Sequence, residues 1–357
     1  MCSKKLWTIE KSFFGITSDE GIPVDQYILT NKNGLIAKVI TYGATITELW
    51  IPNKNGILED VILGFETLSE YESSNNPYFG CIIGRYANRI AKGKFVIDGI
   101  SYQLVLNDGK NSLHGGVKGF HRKVFNASPM TLSSGVALRL RILSYDGEEG
   151  FPGNIDVSVT YMLTNDNELV IDYVATTDKP TIINLTNHSY FNLAGAGCGD
   201  VLDHEISILA DYYTPTDETL IPTGEILPVE NTALDFRTPR KIGDRINEFM
   251  YPPFNGYDHN FVLNNQTRTL ALCAPVYEPK SGRTLEVYTT QPGLQFYTGN
   301  SLNVKGKKDK VYKPYSGFCL ETQHYPDSPN HPNFPDVILR PNEIYKETTI
   351  YKFLSKG

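Results

Sequence analysis

The stretch TNHSYFNLAG, residues 186–195, places polar side chains directly after a strand-like run. The run before it, 181–185, is mostly apolar and β-branched, whereas Asn187, His188 and Asn192 all need hydrogen-bond partners. Burying such groups without partners is costly, so they must meet partners within the protein or on a ligand. A single histidine in a β protein is more often structural than catalytic, but His188 has the residue type that proton transfer near neutral pH requires.

A second candidate for proton transfer is Glu321, which follows the apolar run 318–320. A carboxylate in that setting is paired, exposed or functional. Other polar residues that interrupt strand-like sequence also have structural alternatives. Arg89 could form a salt bridge and Asp258 could cap a turn. The clusters that contain such residues are GRYANRI (84–90), NSLHGG (111–116), YDHN (257–260) and QPGLQFYTGN (291–300).

The residue types in these clusters, taken together, suit a sugar. A sugar presents a rim of hydroxyl groups, each both donor and acceptor, around a ring with apolar faces. Forked polar side chains match the rim, and the 22 tyrosines and 17 phenylalanines of the chain offer aromatic surfaces for the faces. The sequence contains no HxH or HExxH metal motif, no glycine-rich nucleotide loop after a strand and no GxSxG elbow. These features indicate a carbohydrate site.

Alternating apolar and polar residues predict the strands that must position this site. Segments 157–163 and 169–175 alternate on either side of a turn signal at 165–167, which indicates a β-hairpin. The sequence also has 30 glycines and 21 prolines and no linker-like stretch. We therefore expect an all-β chain, a sandwich or barrel, that forms one domain over residues 1–357. Further strands are predicted at 35–42, 47–51, 137–143, 284–290 and 345–353, and short helices only near 67–72 and 239–248.

Charge and cysteine content limit the partners and the compartment. The net charge of −7 and the absence of a basic run argue against nucleic acid as a partner. No stretch has the length of a membrane span or the apolar core of a signal peptide. The five scattered cysteines include no CxxC pair and indicate reduced thiols in a cytosolic protein, with Cys81 and Cys319 buried as packing residues.

The clusters, in this order along the chain, resemble the aldose 1-epimerase (mutarotase) family. The resemblance also rests on the fuller motifs TTQPGLQFYTGN (289–300) and GFCLETQHYPDSPNHPNFP (317–335). It implies a galactose mutarotase-like β-supersandwich fold. It also implies an enzyme that interconverts the α and β anomers of a free aldohexose, galactose or glucose. We expect a monomer or homodimer. No metal or cofactor is implied. Glu321 would be the general base and His188 the general acid. The implied substrate-binding residues are Asn88, Arg89, His114, Tyr190, Asp258 and Gln295. Whether His114, beside the ring oxygen, shares the acid role stays open at this level.

The remaining histidines and asparagines receive supporting roles. His259 would lie beside the sugar-contacting residues, and Asn187 and Asn192 would hold local backbone. The four other histidines, His121, His204, His324 and His331, are expected to be structural. For catalysis at neutral pH, Glu321 should be ionised and His188 protonated, which requires nearby negative charge from Asp258 or Glu321 itself.

Two other functions stay open at this level. A non-catalytic sugar-binding protein could share the fold but would not need both Glu321 and His188. A glycoside hydrolase could use Asp258 and Glu321 as paired carboxylates across a glycosidic bond.

Overall fold

The structure, a computed structural model, describes residues 7–355, and antiparallel β-sheets are its main architecture. This confirms the all-β prediction. The largest sheet has nine strands, which in spatial order are Asn126–Leu132, Gly135–Ser144, Ile155–Thr164, Glu168–Thr177, Tyr345–Ser355, Arg283–Thr289, Ala271–Tyr277, Glu205–Ile206 and Arg240–Lys241.

The predicted hairpin forms the third and fourth strands of this sheet. Its two strands, Ile155–Thr164 and Glu168–Thr177, pair with Leu163 opposite Leu169. Asn167 closes the turn in the left-handed backbone region, at φ 63°, which asparagine tolerates better than most residues. Period-two alternation therefore predicted both the strands and their connection correctly.

A six-stranded sheet carries the candidate catalytic glutamate. Its antiparallel register places Gln295 opposite Glu321 on one neighbour and opposite Asn260 on the other. The same sheet pairs Tyr190 with Cys319. Segments that are far apart in sequence thus become neighbours. The strands, in spatial order, are Tyr190–Phe191, Phe318–Gln323, Gly293–Tyr297, Asp258–Val262, Tyr212–Thr214 and Leu227–Pro228.

The other strands form one larger sheet and five small ones. The five-stranded sheet contains Thr8–Ile16, Pro23–Thr30, Ile36–Ile40, Thr45–Pro52 and Leu58–Asp60, in chain order. The two-stranded sheets are Arg89–Ile90 with Ser112–Leu113, Thr181–Ile182 with Ile338–Leu339, Thr186–Asn187 with Ile82–Ile83, Val304–Lys305 with Val311–Tyr312, and Lys94–Ile97 with Ile100–Gln103.

Helices are few and short. The predicted helix near 67–72 is present as Leu68–Glu72. The other turns are 3₁₀ and comprise Ala91–Gly93, Phe120–Arg122, Glu148–Gly150, Ile242–Asp244, Ile246–Phe249, Lys307–Asp309 and Ser328–Asn330. Within residues 7–355, none of these helices has the length and apolar character needed to cross a membrane.

The helix predicted near 239–248 is wrong. This segment is instead a short strand, Arg240–Lys241, followed by two 3₁₀ turns. Gly243 lies in its middle and is a poor helix former. The backbone there also packs so closely on Leu202 that a Cβ at position 243 would lie 3.1 Å from the Leu202 Cβ.

One hydrophobic core joins the three larger sheets. Its buried side chains include Val39 from the five-stranded sheet, Val159 from the nine-stranded sheet and Leu320 from the six-stranded sheet. Along the chain the cluster runs from Tyr27 to Phe353. Because burial of apolar surface is the main favourable term in folding, this core holds the strands that carry the site.

A buried arginine also ties the sheets together. Arg283 begins a strand of the nine-stranded sheet and has no exposed surface. Its guanidinium donates to the carbonyl of Ile51 at 3.1 Å, the carbonyl of Leu193 at 2.8 Å and the carboxylate of Glu59 at 2.6 Å. Ile51 and Glu59 belong to the five-stranded sheet, and Leu193 lies close after His188.

We expect Arg283→Met to lower the free energy of unfolding by roughly 3 kcal/mol, because buried carbonyl groups would lose their donor. Urea denaturation followed by circular dichroism measures this change. Arg141→Met is the matched control, since Arg141 is exposed on the same sheet and pairs with Asp156. It should leave the free energy of unfolding nearly unchanged, because exposed ion pairs contribute little to stability. Equal losses for the two variants would contradict a bridging role for Arg283.

Candidate active site

The predicted site residues meet at one cavity of about 400 Å³. All of them except Gln295 line it. A larger cavity of about 720 Å³ lies elsewhere, between residues such as Arg268, His324 and Glu347, and contains none of the predicted site residues. The smaller cavity is therefore the candidate active site. Its lining comprises Pro77, Tyr78, Asn88, Arg89, Leu113, His114, His188, Tyr190, Leu220, Pro253, Phe254, Asn255, Asp258, Tyr297, Asn300, Ser301 and Glu321.

His188 and Glu321 lie side by side in this cavity. Glu321 is in the middle of the strand Phe318–Gln323. The backbone of His188 is held on both sides, since its N–H donates to the Cys81 carbonyl at 2.9 Å and its carbonyl accepts from the Gly80 N–H at 3.0 Å. Nε2 of His188 lies 3.6 Å from Oε1 of Glu321, and both side chains are at most 5% exposed. The arrangement brings an imidazole and a carboxylate into proton-transfer range of one small ligand.

Burial shifts the pKa values of both groups in the direction of their neutral forms. It lowers the pKa of His188 to about 4. It raises the pKa of Glu321 well above its usual value, with a further increase from the Asp258 carboxylate and an opposing effect of the Arg89 guanidinium. The surroundings of His188 therefore do not support the expectation that it is protonated at neutral pH. The sequence did not show that the imidazole is buried, and burial is what lowers its pKa.

A second imidazole, that of His114, completes the polar centre. The backbone N–H of Asn88 donates to its Nδ1 at 3.1 Å. An Nδ1 that accepts a hydrogen bond leaves the proton of the neutral ring on Nε2. Burial keeps this ring neutral by lowering its pKa well below the usual value. The rings of His114 and His188 are nearly perpendicular, with centroids 5.2 Å apart. His114 thus presents a neutral N–H donor.

The side chains of His114, His188 and Glu321 have donor atoms of the kinds that bind metal ions. One donor atom each of His114, His188 and Glu321 lies within 4.8 Å of the others. A metal-bound histidine normally donates its second ring N–H to an acceptor. His114 does the opposite, because its Nδ1 accepts from the Asn88 amide. The hydrogen bonding of His114 therefore does not fit a metal centre.

Arg89 and Asn88 form one wall of the cavity. Nε of Arg89 donates to Oδ2 of Asp108 at 2.7 Å, so the salt bridge considered from the sequence is present. The arginine also lines the cavity, which means that pairing and ligand contact are compatible. Asn88 adopts a left-handed backbone, at φ 67°, and its Oδ1 accepts from the Arg89 N–H at 2.9 Å. This contact holds the Asn88 side chain on the Arg89 backbone, whereas the Asp108 carboxylate orients the guanidinium.

Asp258 and Gln295 lie on neighbouring strands of the six-stranded sheet. Asp258 is the first residue of the strand Asp258–Val262, so it is not the turn cap that the sequence left open. Gln295 donates from Nε2 to Oδ1 of Asp258 at 2.7 Å. Gln295 does not line the cavity, and its Nε2 contacts Asp258. Its predicted direct contact with the sugar therefore has no support in the lining.

One acceptor in the cavity lacks a partner. Oε2 of Glu321 is buried and has no hydrogen-bond partner among residues 7–355. Burying a carboxylate oxygen in this way is costly unless a ligand supplies the missing donor. A ligand hydroxyl group is a suitable donor.

Aromatic rings surround the polar centre. Tyr190 lies 5.1 Å from the His188 ring between centroids, and its hydroxyl donates to the Pro77 carbonyl at 2.9 Å. Because that hydroxyl is occupied, Tyr190 contributes mainly its ring. Tyr78 contacts the rings of His114, at 4.8 Å, and His188, at 5.8 Å.

Tyr78 and several other lining residues could not be predicted from the sequence in the same way. Tyr78 lies in a turn-like NNPYFG segment that carries no recognisable sugar signal. Tyr297 and Asn300 lie within the QPGLQFYTGN cluster, and their presence in that motif was a usable signal. The loop residue Phe254 offered none.

The expected supporting roles are found in the structure. Asn187 donates to the Gly80 carbonyl at 2.9 Å, and Asn192 donates to the Ser316 carbonyl at 3.0 Å. The prediction that these two asparagines hold backbone is therefore confirmed. His259 stacks on Phe254 with ring centroids 4.8 Å apart and does not line the cavity.

The other histidines and the cysteines also lie where expected. His204, His324 and His331 have polar partners within the fold, and His121 is packed against Tyr78. Cys81 and Cys319 are buried, as predicted. Cys2 lies outside the described residues.

Comparison with known proteins identifies the family. The chain matches the aldose 1-epimerase family model over residues 25–352. This chain belongs to the aldose 1-epimerase family. It is 48% identical to the galactose mutarotase of Sus scrofa over 348 residues, which are 97% of this chain and 98% of the relative. It is 37% identical to the aldose 1-epimerase of Escherichia coli strain K12, over 94% of this chain and 97% of the relative.

Solved structures of family members have the same fold. The GalM/aldose epimerase homologue from C. elegans superimposes with a TM-score of 0.85 at 30% identity, over 98% of this chain and all of the other. The galactose 1-epimerase from Lactobacillus acidophilus gives a TM-score of 0.84 at 31% identity with the same coverage. These matches confirm the mutarotase-like fold class that the sequence motifs implied.

Two substitutions of charged residues near Glu321 should shift the pKa of Glu321 in opposite directions. Asp258→Asn removes a neighbouring negative charge and should lower the pKa of Glu321, whereas Arg89→Met removes a positive charge and should raise it. Titration of ¹³C-labelled glutamate side chains by NMR measures both shifts. Asp98→Asn is the control, since Asp98 is paired with Arg340 and does not contribute to the pKa of Glu321. Shifts of the same sign in the two site variants would contradict the geometry.

Proposed function

We propose that this protein is an aldose 1-epimerase that interconverts the α and β anomers of a free aldohexose, galactose or glucose. The observation that carries the proposal is the buried pair of His188 and Glu321, 3.6 Å apart in a cavity of sugar-binding character. Membership of the aldose 1-epimerase family supports the same activity.

The reaction needs one acid and one base. Glu321 takes the proton of the C1 hydroxyl while Nε2 of His188 gives a proton to the ring oxygen. The bond between C1 and the ring oxygen breaks, and C1 becomes an aldehyde. Rotation about the C1–C2 bond exposes the other face of the carbonyl group. On ring closure the hydroxyl group formed from the ring oxygen returns its proton to Nε2 of His188, and Glu321 returns its proton to O1. Protons and electrons therefore balance over the cycle.

The burial of the pair suits this exchange. Before ring opening the reactive form is imidazolium with carboxylate, and afterwards it is imidazole with carboxylic acid. Both forms hold the same number of protons, so pH alone does not choose between them. Desolvation disfavours both charges, and it therefore lowers the free energy of the neutral pair relative to the ion pair. Burial therefore favours the protonation state that follows ring opening over the one that precedes it.

The other cavity residues bind and orient the sugar in this proposal. His114 donates from its neutral Nε2–H to a sugar oxygen and does not act as a second acid. Asn88 and Arg89 hold hydroxyl groups on one wall, and Asp258 holds hydroxyl groups on the other. Gln295 acts through its hydrogen bond to Asp258. The aromatic rings of Tyr190 and its neighbours contact the apolar faces of the sugar.

Neither alternative function gains support. A non-catalytic sugar binder would have no need for an acid and a base in proton-transfer range. A hydrolase would place a second carboxylate across the sugar from Glu321. Asp258 is a second carboxylate in the cavity, but its Oδ1 accepts from Gln295, and the proton-transfer group within 3.6 Å of Glu321 is the His188 imidazole.

Four further expectations remain proposals. We propose a single domain over residues 1–357, which the core shared by the three larger sheets supports. A cytosolic location and a monomer or homodimer remain predictions from the sequence. We also expect activity without a metal or cofactor, since the proposed proton transfers need neither.

We expect Glu321→Gln and His188→Asn each to lower kcat by ~10²–10⁴ while sugar binding persists, because each removes one proton-transfer group. The kcat of the double variant should be only slightly below that of the less active single variant, since the two groups act as a unit. Polarimetry of fresh α-D-galactose, and of α-D-glucose in parallel, measures the approach to the common final rotation. His331→Asn is the matched control, because His331 pairs with Asp327 outside the cavity.

Methyl α-D-galactopyranoside separates the two enzymatic functions. It has no free anomeric hydroxyl, so a mutarotase leaves its rotation unchanged and a hydrolase releases galactose from it. Release of galactose would overturn the proposed function, as would a His188→Asn variant with the full wild-type rate.

A further inference from the structure

The two ring nitrogens of His188 face two side chains from one strand. Cys319 and Glu321 are two residues apart in Phe318–Gln323, and alternate residues of a strand lie on the same face. Sγ of Cys319 lies 3.6 Å from Nδ1, and Oε1 of Glu321 lies 3.6 Å from Nε2. A single strand therefore determines the surroundings of both edges of the imidazole.

The partner of Nδ1 has a large influence on how a histidine behaves. A carboxylate or carbonyl oxygen at that position is a strong acceptor and stabilises the imidazolium. A neutral thiol is a weak acceptor and a weak donor. Cys319 is fully buried, and burial raises the pKa of its thiol well above the usual value, so the sulfur is not a thiolate. His188 thus has a weak partner at Nδ1.

We infer that Cys319 is a positioning residue whose sulfur accepts a hydrogen bond from Nδ1–H of His188, orients Nε2 to the sugar and Glu321, and leaves the Nε2 proton easy to release. The inference rests on the proposed function for its catalytic meaning. During ring opening the proton leaves from Nε2 and the proton on Nδ1 stays. The same Nδ1–H then keeps Nε2 free to take its proton back on ring closure.

None of the other described side chains around the ring offers this contact to Nδ1, although the backbone carbonyl of His188 itself also stabilises the imidazolium and raises its pKa. The Tyr78, His114 and Tyr190 rings lie against the imidazole, with centroids 5.8, 5.2 and 5.1 Å away. The Tyr190 hydroxyl is engaged with the Pro77 carbonyl, and Nδ1 of His114 is engaged with the Asn88 amide. Glu321 is the charged group at the opposite edge of the ring.

The test compares cysteine variants by kinetics and by NMR of ¹⁵N-labelled histidine. In wild type the neutral His188 ring should carry its proton on Nδ1. Cys319→Ala removes the acceptor, so the preference for the Nδ1–H form should be lost and kcat should fall about three- to tenfold, the effect of one neutral hydrogen bond. KM should stay within about twofold, since the thiol does not line the cavity.

Cys319→Asn supplies a stronger acceptor and should shift the NMR titration of His188 to higher pH. If this larger side chain prevents folding, Cys319→Ala alone decides the question. Cys273→Ala is the matched control, because Cys273 is also a buried cysteine but lies in the nine-stranded sheet. It should leave both kcat and the His188 signals unchanged.

Two results would overturn the inference. One is a wild-type neutral ring with its proton on Nε2. The other is a Cys319→Ala variant whose kcat and His188 spectrum match those of Cys273→Ala. The NMR readout needs no turnover, so a wild type without mutarotase activity would refute the proposed function and still report whether Cys319 orients His188.

Discussion

Placing an imidazole and a carboxylate together, away from water, is the constraint on which the rest of this structure depends. His188 and Glu321 are each nearly inaccessible, and an environment of low dielectric penalises the charge of either group alone. The pair is tolerable only if the backbone holds both side chains within reach of each other and of a polar ligand. A six-stranded sheet with a continuous hydrophobic core beneath it meets that need, because regular hydrogen bonding determines the position of Glu321 at mid-strand.

The backbone around the cavity is less regular than the sheets that support it. Tyr78, Asn88 and His114 all have left-handed conformations, at φ values of 66°, 67° and 51°. Such conformations are unfavourable for residues with a side chain, by about 1–3 kcal/mol each. They occur where the side chains must turn into the cavity, and the large core offsets their cost. The stability of the sheets therefore compensates for the backbone strain at the site.

The two cavity histidines show how neighbouring groups give one residue type different properties. A backbone amide donates to Nδ1 of His114, which makes that ring a neutral donor through Nε2. A buried thiol faces Nδ1 of His188, and a carboxylate faces its Nε2. The first environment suits binding and the second suits proton exchange. A difference of this kind depends on a few side-chain contacts and not on the amino-acid type.

Much of this protein could be predicted from the sequence. Period-two alternation predicted the strands and the hairpin. The polar motifs predicted the family and seven of the seventeen residues that line the cavity, including its histidines and carboxylates. Local patterns sufficed there because strand formation and residue chemistry are local properties. The predicted helix near 239–248 is absent because backbone N–H groups of this segment, those of Ile242 and Gly243, donate to carbonyls distant in sequence. The tertiary structure alone decided the low pKa of His188, the contact of Cys319 with its ring and the place of Tyr78 in the wall. Each of these depends on burial and on distances between segments that only the folded sheets bring together.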